Sequence, residues 1–124
     1  MSSDLLYDPH NHLWLREESD GSVQVGVTCA ILAVLGAPSF MRLPETGKSF
    51  AADESLGSLE TDKTAFALAL PFAGSVVAAF PPADAAALPA AADGESSVLS
   101  VRPSDNGWKA TLVDASAYTA LSAP

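Results

Sequence analysis

Val23, Val25 and Val27 alternate with Gln24, Gly26 and Thr28. A period of two puts the valines on one face of an extended chain and the small or polar residues on the other. Such a segment reads as a half-buried strand over 22–28, and a strand needs a neighbour. The nearest is His12-Leu13-Trp14-Leu15-Arg16, set off by the turn residues Ser19-Asp20-Gly21, so a β-hairpin is expected here. The same grammar recurs downstream. Strands are expected at 39–43, closed by the turn Pro44-Glu45-Thr46-Gly47, and at 56–60. A further strand at 65–70 has Phe66, Leu68 and Leu70 alternating with alanines, and others are expected at 75–80 and, after Asn106-Gly107, at 108–113. Residues 98–102 fit a short strand or helix, and residues 4–9 read as irregular. Many short strands with regular turns and little helix predict a mostly β sandwich or barrel.

Helix is expected in short pieces only. Thr28 suits the cap of the apolar run Cys29-Ala30-Ile31-Leu32-Ala33-Val34-Leu35, and Gly36 stops it. The run is apolar nearly all round, which predicts burial; the alternative is a face offered to a partner. Asp114 is expected to cap a terminal helix through Leu121. The Ala/Pro-rich segment 81–94 fits a short helix over 83–88 and a low-complexity surface segment equally well.

Bulk properties exclude some functions. At 124 residues and 48% hydrophobic, with mean hydropathy +0.23, the chain 1–124 is expected to be one domain with a modest core. Six basic against fifteen acidic residues give a net charge of −9. That balance argues against nucleic acid or an anionic membrane as partner and favours docking to basic surfaces. The single cysteine, Cys29, rules out an internal disulfide and fits a reducing compartment. No basic-then-apolar leader is visible, and the apolar stretches 29–35 and 65–72 are too short to span a bilayer. A cytoplasmic protein is therefore expected.

One stretch stands out for chemistry. Glu60-Thr61-Asp62-Lys63-Thr64 lies between two β-prone runs, which predicts a hairpin over about 56–70 with Lys63 at its tip. An enzyme can reach a lysine there and modify it; the alternative is an ordinary solvated turn lysine. Spacing bears on the choice. Gly57 lies six residues before Lys63, Pro71 eight after it and Gly74 eleven after it.

In this arrangement the chain resembles lipoyl and biotinyl carrier domains, whose fold is the barrel-sandwich hybrid, here expected with short flanking helices. Glu60-Thr61-Asp62-Lys63 is similar to the lipoyl-lysine motif of 2-oxoacid dehydrogenase acyltransferase subunits. It is unlike the biotinyl motif, where methionines flank the lysine, since Asp62 and Thr64 stand there. Over roughly 5–115 the chain resembles the H protein of the glycine cleavage system. His12-x-Trp14, Asp20-Gly21, Val25-Gly26-Val27-Thr28, Leu35-Gly36, Leu43-Pro44-Glu45-x-Gly47, and Pro103 with Gly107-Trp108 carry that likeness in order. It departs from the family at 29–32, where acidic, aromatic and amide residues are usual, at Ser100 and Ser104, and in the alanine-rich stretch 81–95.

The resemblance implies a non-catalytic carrier with lipoate joined covalently to Lys63. Glu60 and Asp62 would guide the modifying enzyme, a lipoate ligase or amidotransferase. The arm would take an aminomethyl group from a pyridoxal-dependent decarboxylase, pass it to a folate-dependent aminomethyltransferase and be reoxidised by a flavin dehydrogenase. Tethering would raise the local concentration of the dithiol at each partner. The opening Asp4-Leu5-x-Tyr7 is also similar to H-like lipoate-binding proteins of bacterial sulfur oxidation, which would make a heterodisulfide-reductase-like complex the partner. A reading of another class is an unmodified scaffold or binding module on the same fold.

Other residues invite chemistry more weakly. Cys29 reads as a reactive thiol near the arm or as a small core residue. His10 and His12 with Asp8 suggest a metal, yet no third or fourth ligand is evident, so no metal is expected. Trp14 and Trp108 read as core aromatics. No nucleophile–base pairing or phosphate loop is present, which predicts no catalysis by the chain itself.

Overall fold

The first hairpin forms as expected in a computed structural model, which describes residues 5–36, 38–62, 64–80, 93–95 and 97–122. Strands β2 (Leu13–Glu17) and β3 (Val23–Val27) pair antiparallel, with Leu13 opposite Val27 and Glu17 opposite Val23. Strand β1 (Leu6–Asp8) adds to the outer edge of β2, with Tyr7 opposite Trp14. This stretch had read as irregular, because three residues are too few to show a period. Its other side is held by Val113, which exchanges two backbone hydrogen bonds with Tyr7 at 2.7 and 2.9 Å.

Beyond β3 come helix α1 (Cys29–Leu35), β4 (Phe40–Arg42), β5 (Ser49–Phe50), β6 (Gly57–Glu60), β7 (Ala65–Leu68), β8 (Gly74–Ala79), β9 (Leu99–Pro103) and helix α2 (Ala115–Ser122). The strands make a six-stranded sheet, β1-β2-β3-β9-β8-β5, and a three-stranded sheet, β4-β6-β7, with antiparallel neighbours throughout. Residues 98–102, open between strand and helix in sequence, are largely β9. The expected strand over 108–113 does not form. Its backbone runs in turns, with Ala110 N–H donating to Gly107 and Leu112 N–H to Lys109. Trp108 anchors them instead, buried with its ring edge-on to Phe72 at 5.5 Å.

The main core lies between the sheets. Leu13, Leu15, Val23, Val25, Val76 and Val101 meet Leu59 and Leu68, with Met41 and Phe66 partly buried against them. The second face of the six-stranded sheet carries a separate cluster of Tyr7, Trp14 and Tyr118. Tyr7, Trp14 and Gly26 stand in one row across β1, β2 and β3. Gly26 has no side chain, so the Trp14 indole lies flat over β3; a Cβ there would sit 2.1 Å from the ring. Strand β3 is thus more buried than a half-buried strand, with Gly26 covered on the second face and Gln24 partly exposed there.

Helix α1 begins as the sequence indicated. Thr28 Oγ1 accepts from the Ile31 N–H at 3.3 Å, and Gly36, at φ 88°, returns its N–H to the Leu32 carbonyl. The expected burial of this helix is corrected. Only Leu32 is fully buried, while Val34 is 78% exposed. A seven-residue helix offers the core one stripe, here Leu32 flanked by Ile31 and Leu35. Asp114 caps α2 by accepting from Ala117 N–H at 2.8 Å. Residues 81–92, where the sequence left helix and low complexity open, lie outside the described residues.

Candidate functional site

The three-stranded sheet is built to hold a turn. Register in β6–β7 pairs Gly57 with Leu68, Ser58 with Ala67, Leu59 with Phe66 and Glu60 with Ala65. The Thr61 N–H donates to the Thr64 carbonyl at 2.9 Å, and the Thr64 N–H reaches back to Thr61 Oγ1 at 3.3 Å. Two residues separate these threonines, Asp62 and Lys63. Lys63 lies outside the described residues; Asp62 and Thr64 beside it are exposed.

The root of this hairpin is fixed. Leu59 is fully buried, and strand β4 flanks β6 with Phe40 opposite Glu60, Met41 opposite Leu59 and Arg42 opposite Ser58. The Glu60 carbonyl accepts from both the N–H and the hydroxyl of Ser39, at 2.7 and 3.2 Å. Gly57 lets β4 come this close, since a Cβ on it would lie 2.0 Å from the Arg42 carbonyl oxygen. Backbone cannot yield as a side chain can. Gly57→Ala is therefore expected to cost about 2–3 kcal/mol and to speed amide exchange at Leu59, read by hydrogen–deuterium exchange of purified protein.

Of the acidic residues named from sequence, Glu60 is half-buried and Asp62 exposed. Glu60 Oε2 accepts from the Ser58 hydroxyl at 3.4 Å. The ion pairs formed among the described residues lie elsewhere: Arg16–Glu18, Lys48–Glu54 and Lys109–Glu17. The turn therefore carries net negative charge from Glu60 and Asp62 among the described residues.

Behind the hairpin runs a polar chain that sequence reasoning did not find. Phe66 of β7 faces the His12 ring at 6.5 Å. His12 Nδ1 and Thr28 Oγ1 both hydrogen-bond the Tyr118 hydroxyl, at 3.0 and 2.8 Å. Tyr118 stacks on Tyr7 at 4.7 Å, and the Tyr7 hydroxyl donates to Asp93 at 3.1 Å. The other Asp93 oxygen accepts from the Cys29 N–H at 2.8 Å. No sequence signal joins residues 7, 12, 28, 93 and 118, because each arrives from a different element.

The weaker candidates take the following places in the structure. His12 belongs to a turn, at φ 57°, not to a strand. Asp8 is buried and accepts from His10 N–H and Asn11 Nδ2 at 3.0 and 2.7 Å. It organises the β1–β2 turn. Among the described residues no group of three or more His, Cys, Asp or Glu is placed to hold a metal ion. Cys29 is half-buried, and burial, helped by hydrogen bonding to Asp93 and its negative charge, pushes its thiol up. A raised pKa leaves less thiolate and a poor nucleophile.

Burial, then the charge and hydrogen bond of Asp93, also push the Tyr7 phenol from 10.0 to about 12. Between those values the folded chain keeps a proton that the unfolded chain releases. Stability is therefore expected to be independent of this group below about pH 10 and to fall as pH rises toward about 12. Urea unfolding midpoints at about pH 9 and about pH 11 test this, with Tyr7→Phe flattening the drop.

The geometry supplies a two-sheet platform, a short hairpin and an acidic turn. Comparison with known proteins agrees with such a carrier. The family model for the glycine cleavage H-protein matches residues 5–122. A glycine cleavage system H protein of Chromobacterium violaceum is 36% identical over 110 residues, covering 87% of this chain and 86% of that one. One from Azoarcus sp. is 35% identical over 117 residues, covering 94% and 91%. The crystal structure of a glycine cleavage system H protein from Mycobacterium marinum superposes with a TM-score of 0.81 at 31% identity, covering 97% of each chain. The two sheets and short helices are thus the barrel-sandwich hybrid expected from the sequence. A match over nearly the whole chain, in sequence and in fold, shows that the chain belongs to the glycine cleavage H-protein family, the non-catalytic carrier component of that system.

Proposed function

We propose that the chain is a lipoyl carrier of a glycine cleavage system, with lipoate held as an amide on Nζ of Lys63. The observation that carries this reading is the turn between Thr61 and Thr64, in a chain whose family match runs from 5 to 122. The residues present suit the group. Asp62 and Thr64, on either side of Lys63 in sequence, are exposed. Leu59 and the Ser39–Glu60 bonds root the hairpin, giving the arm a defined origin. When bound, the dithiolane supplies thiol–disulfide exchange. The chain's own part is to position it and to present a docking shape.

Glu60 and Asp62 place negative charge where a lipoate ligase or amidotransferase must approach, which speeds encounter with a basic surface. In the glycine cleavage setting the carrier then serves a pyridoxal-dependent decarboxylase, a folate-dependent aminomethyltransferase and a flavin dehydrogenase. A cytoplasmic site fits this traffic, and no helix among the described residues is long and apolar enough to cross a membrane. The test is the intact mass of the protein purified from its own host. A lipoyl-sized addition on Lys63 supports the carrier. An unmodified chain supports the scaffold alternative, and a biotin-sized addition overturns the choice of cofactor.

A further inference from the structure

We propose that the outer face of the three-stranded sheet is the docking surface for the enzyme that acylates Lys63; this rests on Lys63 being the attachment site. The sheet has two unlike faces. Met41, Leu59 and Phe66 form one row turned to the core. The rows of opposite orientation are Phe40, Glu60 and Ala65, then Arg42, Ser58 and Ala67. Ala65, Ala67 and Arg42 are exposed, and Phe40 is 48% exposed. The Arg42 guanidinium lies over the Phe40 ring at 5.5 Å and makes no ion pair among the described residues.

This face begins at the turn itself. Phe40, Glu60 and Ala65 are the last paired row before Thr61 and Thr64. Position decides which partner it fits. An enzyme that joins an acyl group to Nζ must bring its active centre to the lysine. Enzymes that use a loaded arm meet its far end instead. The surface next to the turn is therefore the one the acylating enzyme must rest on.

Charge decides the chemistry of the contact. Glu60 and Asp62 have no cation paired with them among the described residues, and the chain carries −9. A second copy would bring the same charge to the same place. The fitting occupant has an apolar pocket for Phe40, with alanines leaving room for close approach. Its rim carries lysine or arginine facing Glu60 and Asp62, and a carboxylate facing Arg42. An exposed aromatic beside an arginine is the composition of an interface anchor.

The experiment is steady-state lipoylation of the unmodified full chain by a purified lipoate ligase, with lipoate and ATP supplied. Phe40→Ser and Arg42→Glu are compared with wild type and with Val77→Ser. Val77 is also exposed, on the six-stranded sheet. Phe40→Ser is expected to raise KM for the carrier about tenfold with kcat unchanged, and Arg42→Glu to act in the same direction. Val77→Ser is expected to match wild type. Circular dichroism melts check that the variants fold, since both side chains stand outside the core. A wild-type KM for both face variants overturns the proposal. So does a wild-type dimer in sedimentation velocity that Phe40→Ser dissolves, because the face then belongs to a second copy. If wild type takes no lipoate on Lys63, the carrier reading fails and the docking surface falls with it. Unchanged KM with Lys63 fully lipoylated removes the docking surface alone.

Discussion

Replacing Lys63 by arginine is expected to leave a folded chain that carries no acyl mass. Arginine keeps the positive charge and similar reach. Its guanidinium stays protonated and delocalised, so it offers no nucleophilic lone pair for amide formation. The fold has little reason to respond. The turn is closed between Thr61 and Thr64, and the root is held by Leu59, Ser39 and the Phe40–Glu60 pairing. Wild type from the native host should show the lipoyl-sized addition by intact mass, and Lys63→Arg should show none. Persistence of the addition would move the site to Lys48 or Lys109. Both are poor candidates on geometry. Lys48 Nζ is 3.3 Å from Glu54 and Lys109 Nζ is 2.8 Å from Glu17. In both, the amine is already held by a carboxylate. Neither lies in the β6–β7 hairpin. Peptide mapping of the modified chain would locate the group if the variant retained it.

Much of the fold was legible because it rests on local signals. The valine alternation in β3, the Thr28 cap, the Gly36 stop and the Asp114 cap each act within a few residues. What could not be read depends on partners distant in sequence. Strand β1 exists because Trp14 and Val113 lie on either side of it. Residues 108–113 carry alternating apolar character yet form turns, since Trp108 serves as an anchor against Phe72. The exposure of α1 follows from a seven-residue helix offering the core one stripe, which its apolar composition did not reveal. The β6–β7 hairpin was legible from the two β-prone runs on either side of residues 60–64. The network through Tyr118 and Asp93 was not, because hydrogen bonds spanning 106 and 86 residues leave no periodic trace.

Gly26→Ala is expected to be strongly destabilising. An alanine Cβ would lie 2.1 to 2.3 Å from Cε2, Cζ2 and Nε1 of Trp14. Those atoms cannot give way cheaply. Trp14 is 1% exposed, in a cluster with Tyr7 and Tyr118 and with Arg16 stacked on its ring at 5.7 Å. Either the indole leaves its site or β3 moves away from β2, and both loosen the row Tyr7–Trp14–Gly26. The expected cost is about 3–5 kcal/mol, the range for losing a buried aromatic's packing. The entropy an alanine removes from the unfolded chain returns only about 0.4–1 kcal/mol, so destabilisation wins. Gly47 is the useful contrast. A Cβ there meets nothing within 4 Å, and only its φ of 89° opposes the change. Gly47→Ala should cost about 1–2 kcal/mol. Urea unfolding followed by tryptophan fluorescence separates the two. The clash is then isolated by adding Trp14→Phe to Gly26→Ala. If the indole is the obstacle, the double variant is more stable than the sum of the singles requires, by at least about 1 kcal/mol. Simple additivity would place the cost of Gly26→Ala in the strand backbone rather than against the ring.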